Sequence, residues 1–238
     1  MSQSVIGKGV KITFYGHSAV KLEGVGASVL IDPWISNPLL TTPIAALGTV
    51  QLILVTHGHF DHLGQTVEIA QATGAEVAAI HELAQYLLGR GLKKVIGMNK
   101  GGSMTTGGVT VTMTHAVHSS SIEERGQLLP AGEAAGFIVK FANGFTVYHA
   151  GDTAVFKDME LIRELYRPQV AMLPIGSHYV MSPAEAALAC RMLQPEFVIP
   201  MHYGTFPVLT GTPEELAAHL QDQPRITIIA LRPGESVA

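Results

Sequence analysis

The chain has 238 residues, 47% hydrophobic and 14% charged, with a formal net charge of −4. That is enough chain to bury a full core, and an acidic balance without any Lys/Arg run argues against a nucleic-acid-binding surface. The single cysteine, Cys190, excludes an intrachain disulfide framework and a thiolate zinc site.

No apolar stretch reaches membrane-spanning length, and the N-terminus shows no signal-peptide pattern, so the expected location is the cytoplasm, away from membranes. Lys11 to Tyr15, Val20 to Leu22 and Ser28 to Ile31 read as an antiparallel meander, with Gly24 and Gly26 at a turn. His17 follows the first strand, either as a turn residue bonded to backbone or on the rim of a site. Asp32 closes the third strand, where a carboxylate is costly to bury unpaired. It either starts the turn before Pro33 or accepts an N–H from a metal-bound histidine, and the second reading is favoured. Trp34 to Thr49 shows no period and reads as a long loop of the functional kind.

Leu52 to Val55 is a short apolar run rich in branched residues, the pattern of a buried strand. It delivers Thr56-His57-Gly58-His59-Phe60-Asp61-His62, three histidines and a carboxylate on a loop at a strand end, where α/β sheets place their sites. Ordinary turns favour Gly, Asn, Asp and Ser over clustered His, whereas imidazole with carboxylate is the donor set of zinc and similar cations. A helix over Leu63 to Ala72, a strand over Glu76 to Ile80 and a helix from His81 to about Gly89 follow, with His81 a helix-start residue. Gly101-Gly102 and Gly107-Gly108 are turns, outside any nucleotide-binding glycine pattern.

Val109 to Thr114 alternates apolar and polar and runs into His115 and His118, which point to opposite faces of an extended chain. Only one of them need be a ligand. Ser121 to Gly136 reads as a second irregular loop, a candidate substrate-facing flap. Phe137 to Phe141 and Phe145 to His149 form a hairpin about Asn143-Gly144, and the second strand ends in Gly151-Asp152-Thr153. A helix over Met159 to Tyr166 and a buried strand over Val170 to Leu173 lead to His178 and Tyr179. Ser182-Pro183-Ala184-Glu185 and Thr212-Pro213-Glu214-Glu215 are helix starts with N-cap, proline and capping glutamate. Cys190 reads as a core residue of the first of these helices, and His219 as solvent-facing on the second. The strand Glu196 to Pro200 delivers His202, and Ile226 to Leu231 reads as a closing strand. No linker divides the chain, so residues 1–238 are read as one domain.

Apart from His178, the strand ends supply His57, His59, Asp61, His62, His118, Asp152 and His202. Seven donors suffice for two divalent metals that share one carboxylate. Zinc is the first choice, with manganese, nickel or iron also accepting such ligands.

At these residues the chain resembles the metallo-β-lactamase fold superfamily. The H-x-H-x-D-H signature, the later His, the Gly-Asp-Thr motif and the C-terminal His occur in order along essentially the whole chain. Tyr15-Gly16-His17-Ser18, Asp32-Pro33-Trp34, Ala116-Val117-His118-Ser119-Ser120, Gly132-Glu133-Ala134-Ala135-Gly136 and the stretch from Ile199 to Phe206 are similar to a small bacterial and archaeal branch of metal-dependent hydrolases. Better-known relatives of that branch are ascorbate-phosphate lactonase and N-acylphosphatidylethanolamine phospholipase D. The resemblance implies an α+β fold, a four-layer αβ/βα sandwich with the site in a cleft at one edge of the paired sheets. It also implies that His57, His59 and His118 bind one metal, that Asp61, His62 and His202 bind the other, and that Asp152 bridges them. His115 is then left to a supporting role.

The chemistry expected of such a site is hydrolysis of a small ester, lactone or phosphodiester by hydroxide activated between two metals. Asp61 would ligate and orient that nucleophile, and His178 would protonate the leaving group, unless it is a structural loop residue. Tyr179 and Tyr203 are candidates for substrate contact. The rival is an iron-dependent oxygenase or redox protein on the same fold, disfavoured by the complete second ligand set. The membrane-engaging elements of the phospholipase relative are not evident. Leu39, Leu40 and Ile44 could pack against a second copy of the chain.

Overall fold

The computed structural model describes residues 6–238. The expectation about a signal peptide falls partly on residues 1–5, outside the described residues. Among the described residues no helix is long and apolar enough to cross a membrane.

The first half opens as the expected meander, β1 (Val10–Gly16), β2 (Ala19–Gly24) and β3 (Ala27–Ile31), paired antiparallel. The stretch after Trp34 is more ordered than its sequence suggests, folding as a small hairpin of β4 (Ser36–Asn37) and β5 (Leu40–Thr41) and a 3-10 turn at Ile44–Leu47. Then β6 (Leu52–Leu54) pairs parallel with β3. The helix expected from Leu63 is displaced and broken into α1 (Phe60–Leu63) and α2 (Thr66–Thr73). The break falls at Gly64, whose φ of +43° and whose closeness to Pro33, 2.5 Å from its carbonyl oxygen to where a Cβ would sit, admit only glycine. The half closes with β7 (Glu76–Ile80), α3 (His81–Gly89) and β8 (Val95–Met98), a parallel edge strand.

The second half is built from β9 (Ser103–Thr106), β10 (Val109–His115), β11 (Ser121–Glu124), β12 (Gln127–Pro130), β13 (Ala135–Phe141) and β14 (Thr146–His149). It continues with α4 (Met159–Tyr166), β15 (Val170–Pro174), α5 (Pro183–Leu193), β16 (Phe197–Met201), α6 (Pro213–His219), β17 (Thr227–Ile228) and β18 (Ser236–Val237). The strands β8, β9 and β18 were not read from sequence. Strand β9 is polar, and β8 is half-exposed along its length, so neither carries an apolar alternation. The presumed second loop contains an antiparallel hairpin, β11 with β12, standing outside both main sheets. The last strand is shorter than expected, because only Thr227 and Ile228 pair with β16.

Two seven-stranded sheets result, in the orders β18-β1-β2-β3-β6-β7-β8 and β17-β16-β15-β14-β13-β10-β9. Alternation along the second sheet's strands separates two cores. Phe137, Val139, Val147, Val170, Met172, Ile199 and Met201 face inward and pack with Ile12, Val29, Leu52 and Val77 of the first sheet. Ile138, Tyr148, Ala171, Leu173 and Val198 face outward, beneath Ile162, Ala186, Cys190 and Leu216 of α4, α5 and α6. Helices α2 and α3 lie along the first sheet. The architecture is therefore helix, sheet, sheet, helix, the four-layer α+β sandwich expected. Both predicted capping boxes form, Ser182 with Glu185 and Thr212 with Glu215. Cys190 is buried, and burial pushes its thiol up to about 12.

Candidate metal centre

Every expected donor follows the C-terminal end of a strand. The apolar run of β6 buries itself between β3 and β7, which leaves the polar residues from Thr56 onward at the sheet's edge. His57 precedes α1, His59 caps it, and Asp61 and His62 ride on its single turn. His118 follows β10, Asp152 follows β14 and His202 follows β16. Because β14, β15 and β16 are parallel, their C-terminal ends share one edge, and the donors that follow them meet those that follow β6.

The donor atoms converge in three overlapping groups, each spanning no more than 4.8 Å: His57, His59 and His118; His57, His62 and Asp152; and His17, Asp61, His62 and His202. Asp152 joins them. Its Oδ2 lies 3.0 Å from His202 Nε2, 3.3 Å from His62 Nε2 and 3.6 Å from His118 Nε2. All seven residues named from sequence are brought together. His178 is not among them: it is exposed on the loop after β15, its ring edge-on to Tyr179 at 4.4 Å, and Tyr179 rather than His178 lines the cavity over the donors. His115 faces away from the donors, against Lys100 and Phe156.

His17 is buried within the third group, the alternative that its sequence left open. Its Nε2 is 3.0 Å from Asp61 Oδ2 and its Nδ1 is 2.9 Å from Thr205 Oγ1. Burial lowers its pKa to about 4, so at neutral pH the ring donates from Nε2 to the carboxylate and accepts the threonine hydroxyl at Nδ1. The contact is a hydrogen bond from a neutral ring to a carboxylate rather than an ion pair.

Behind the donors stands Asp32. Its Oδ1 accepts the Thr56 N–H at 2.8 Å, and its Oδ2 accepts the Thr56 hydroxyl at 2.7 Å and His62 Nδ1 at 2.8 Å. Thr56 Oγ1, having given its proton to Asp32, accepts from His57 Nδ1 at 3.0 Å. Both imidazoles are thereby oriented through Nδ1 with Nε2 turned toward the donor cluster, and on His62 a bound cation would take the place of the Nε2 proton that Asp152 and Asp32 favour. Asp32 thus takes the orienting role favoured from sequence. Thr56 and Thr205 carried no signal of their own, because a threonine becomes a supporting group only through what the fold sets beside it. Asp32, His17 and His202 all have φ between +47° and +56°, a left-handed conformation that is costly for an L-residue and recurs at functional sites.

The electrostatics suit a cation. Burial draws His57, His59 and His118 below the usual imidazole range, leaving neutral donors. Burial opposes the Asp152 charge, but His202 and His62 hold its carboxyl well below the ordinary value. Asp61 is likewise kept ionised against its burial by the His17 hydrogen bond and His62. Burial also opposes charge on His62, yet Asp152 and Asp32 outweigh it and raise its pKa. His62 Nε2, Asp152 Oδ1 and His202 Nδ1 are buried without a hydrogen-bond partner. Such orphaned atoms are rare in a folded core, and all three belong to residues of the converging donor groups. The residues present fit a divalent metal.

A model of the beta-lactamase superfamily domain matches residues 27–203 of the chain. A UPF0173 metal-dependent hydrolase of Chloroflexus aurantiacus is 47% identical, covering 99% of this chain and 100% of its own length. Another, of Rubrobacter xylanophilus, is 47% identical over 100% of this chain and 99% of its own. Among solved structures, Igni18, a metallo hydrolase from the archaeon Ignicoccus hospitalis, superposes with a TM-score of 0.87 at 40% identity, covering 96% of this chain and 97% of that one.

Proposed function

The chain belongs to the UPF0173 metal-dependent hydrolase family of the beta-lactamase superfamily, and from that premise we propose that it cleaves a small ester, lactone or phosphodiester with a pair of divalent cations, zinc first among them. The observation that carries the reading is the position of Asp152, one carboxylate oxygen within 3.6 Å of histidines from both donor groups. His57, His59 and His118 would hold one cation, Asp61, His62 and His202 the other, and Asp152 both.

When bound, the pair would supply Lewis acidity, bringing the pKa of water toward neutrality and offsetting charge that develops on the substrate. The chain's own groups do the rest. Asp61 lines the cavity and, held ionised and oriented by His17, can accept a hydrogen bond from the attacking water. Asp32 and Thr56 keep His57 and His62 in one tautomer. Tyr179 stands on the cavity wall, where a substrate meets it. The proposed setting is the cytoplasm, with a small molecule as substrate and a second copy of the chain as a further candidate partner.

The test is metal analysis of protein purified without added metal, together with a hydrolysis screen over lactones, thioesters and phosphodiesters. About two metal equivalents per chain are expected, with turnover lost in His59→Ala and Asp152→Ala by about 10²-fold or more. Full metal content and full activity in both variants would sink the two-metal assignment. Oxygen consumption by the iron-loaded protein would favour an oxygenase.

A further inference from the structure

The cavity above the donors has a volume of about 600 Å³, within the range of small-molecule sites. Its floor is polar, made of the metal-site residues. Its walls are different. Phe60 on α1 is 63% exposed, Leu128 on β12 is 72%, Tyr179 after β15 is 58% and Val208 after β16 is 43%, and all four line this one opening together with Phe206 and Pro207. A lone exposed leucine on a protein surface needs no explanation. Large apolar side chains from four separate segments, converging on one rim, form a patch of the kind that marks a binding site.

The charge on the walls points the same way. Apart from the floor residues, Glu123 is the one charged side chain among the described lining residues, and no Lys or Arg lines the cavity. An anionic tail would meet that carboxylate without a compensating cation, whereas an apolar chain would bury its surface against Leu128, Val208 and Phe206. We propose that this cavity binds the uncharged, apolar acyl or alkyl part of the substrate, so that the compound hydrolysed is a neutral ester, thioester or lactone bearing a medium-length apolar chain. The proposal rests on the hydrolase reading for the position of the reacting group, and on the walls alone for the chain.

Trp34 offers a built-in reporter. It is the only tryptophan, and its ring lies edge-on to Phe60 at 5.6 Å and stacked with Phe206 at 6.0 Å, directly behind two wall residues. The experiment is a fluorescence titration of the metal-loaded protein with straight-chain methyl ketones of increasing length, which are uncharged and cannot be hydrolysed. Affinity is expected to rise about fourfold for each added methylene until the cavity is filled. Leu128→Ser and Val208→Ser, at exposed positions where folding is little affected, should each weaken the longest ketone about tenfold. Ketones whose far end carries a carboxylate should bind more weakly than the uncharged ketone of equal length because of Glu123, and those carrying an ammonium because the desolvation of the charge against the apolar wall outweighs its attraction to the exposed Glu123. An affinity independent of chain length, a slope unchanged in both variants, or tighter binding of a charged-tail ketone would each overturn the proposal. So would a concentration-dependent dimer in sedimentation velocity, abolished by Leu128→Ser, that occludes the ketones. Because no bond is cleaved in the titration, a failed hydrolysis screen leaves this result standing, and a flat titration leaves the hydrolase reading standing.

Discussion

Asp32 makes no contact that would appear in a list of metal ligands, yet two of the histidines depend on it. It accepts from His62 directly at 2.8 Å and reaches His57 through the Thr56 hydroxyl. Losing such a partner typically costs 10–100-fold in metal affinity. Asp32→Ala is therefore expected to weaken metal binding by about that factor, read by competition with a chromophoric chelator. Unchanged affinity would show that Asp32 only closes the turn. His178 gives the opposite expectation. Its imidazole is exposed and absent from the cavity wall, so His178→Gln should change kcat by less than about threefold, against the 10²-fold or more that a general acid contributes. A loss of that larger size would restore it as the acid expected from its position in the chain. The strand-end rule that found seven donors also selected His178. Sequence shows that a residue follows a strand, while the side chain's direction depends on a backbone turn, here with φ of +56°.

At the scale of elements, the glycine between His57 and His59 is a packing requirement. A Cβ on Gly58 would stand 2.5 Å from the Ala131 Cβ and 3.1 Å from the Ser121 carbonyl oxygen, at the two ends of the β11–β12 hairpin. The Gly58 N–H also donates to Ser120 Oγ at 3.1 Å. The hairpin that carries Leu128 thus sits directly on the metal motif. Gly58→Ala is expected to lose about 1–3 kcal/mol of stability by overpacking, measured by urea denaturation, and to loosen the hairpin, measured by its amide exchange. No loss of stability would mean that the hairpin yields freely. The hairpin was unreadable in sequence because its strands are four residues each, largely exposed and outside both sheets, so no alternating burial pattern marks it. The capping boxes of α5 and α6 were readable because a cap is a local arrangement of four residues.

For the whole molecule, the donors come from both halves. His57, His59, Asp61 and His62 extend from the first sheet, and His118, Asp152 and His202 from the second. A cation held by residues of both sheets binds only the folded chain and stabilises it by mass action. Stripping metal with a chelator should lower the melting temperature. The loss is expected to be about 4 kcal/mol when free metal stands at a thousand times its Kd, and readdition of zinc or manganese should restore it in calorimetry. Identical melting curves with and without metal would contradict a site shared between the sheets.

The sequence by itself marked the seven candidate donors and the main strands and helices, because both rest on local signals. Apolar runs and alternation mark strands such as β6 and β10, and clustered histidine and aspartate at strand ends mark chemistry. It left open what depends on residues distant in the chain. Whether His17 belonged to the site was decided by Asp61 and Thr205, 44 and 188 positions away. The role of Asp32 was decided by Thr56 and His62, 24 and 30 positions away. The apolar wall exists only because α1, the hairpin and the loops after β15 and β16 meet over one cavity. Leu128 in an irregular stretch signals nothing by itself; beside Phe60, Tyr179 and Val208 it becomes part of a surface that can take an apolar chain out of water. Burial and proximity are properties of the tertiary fold, and they decided which polar groups act together and which apolar ones face a substrate.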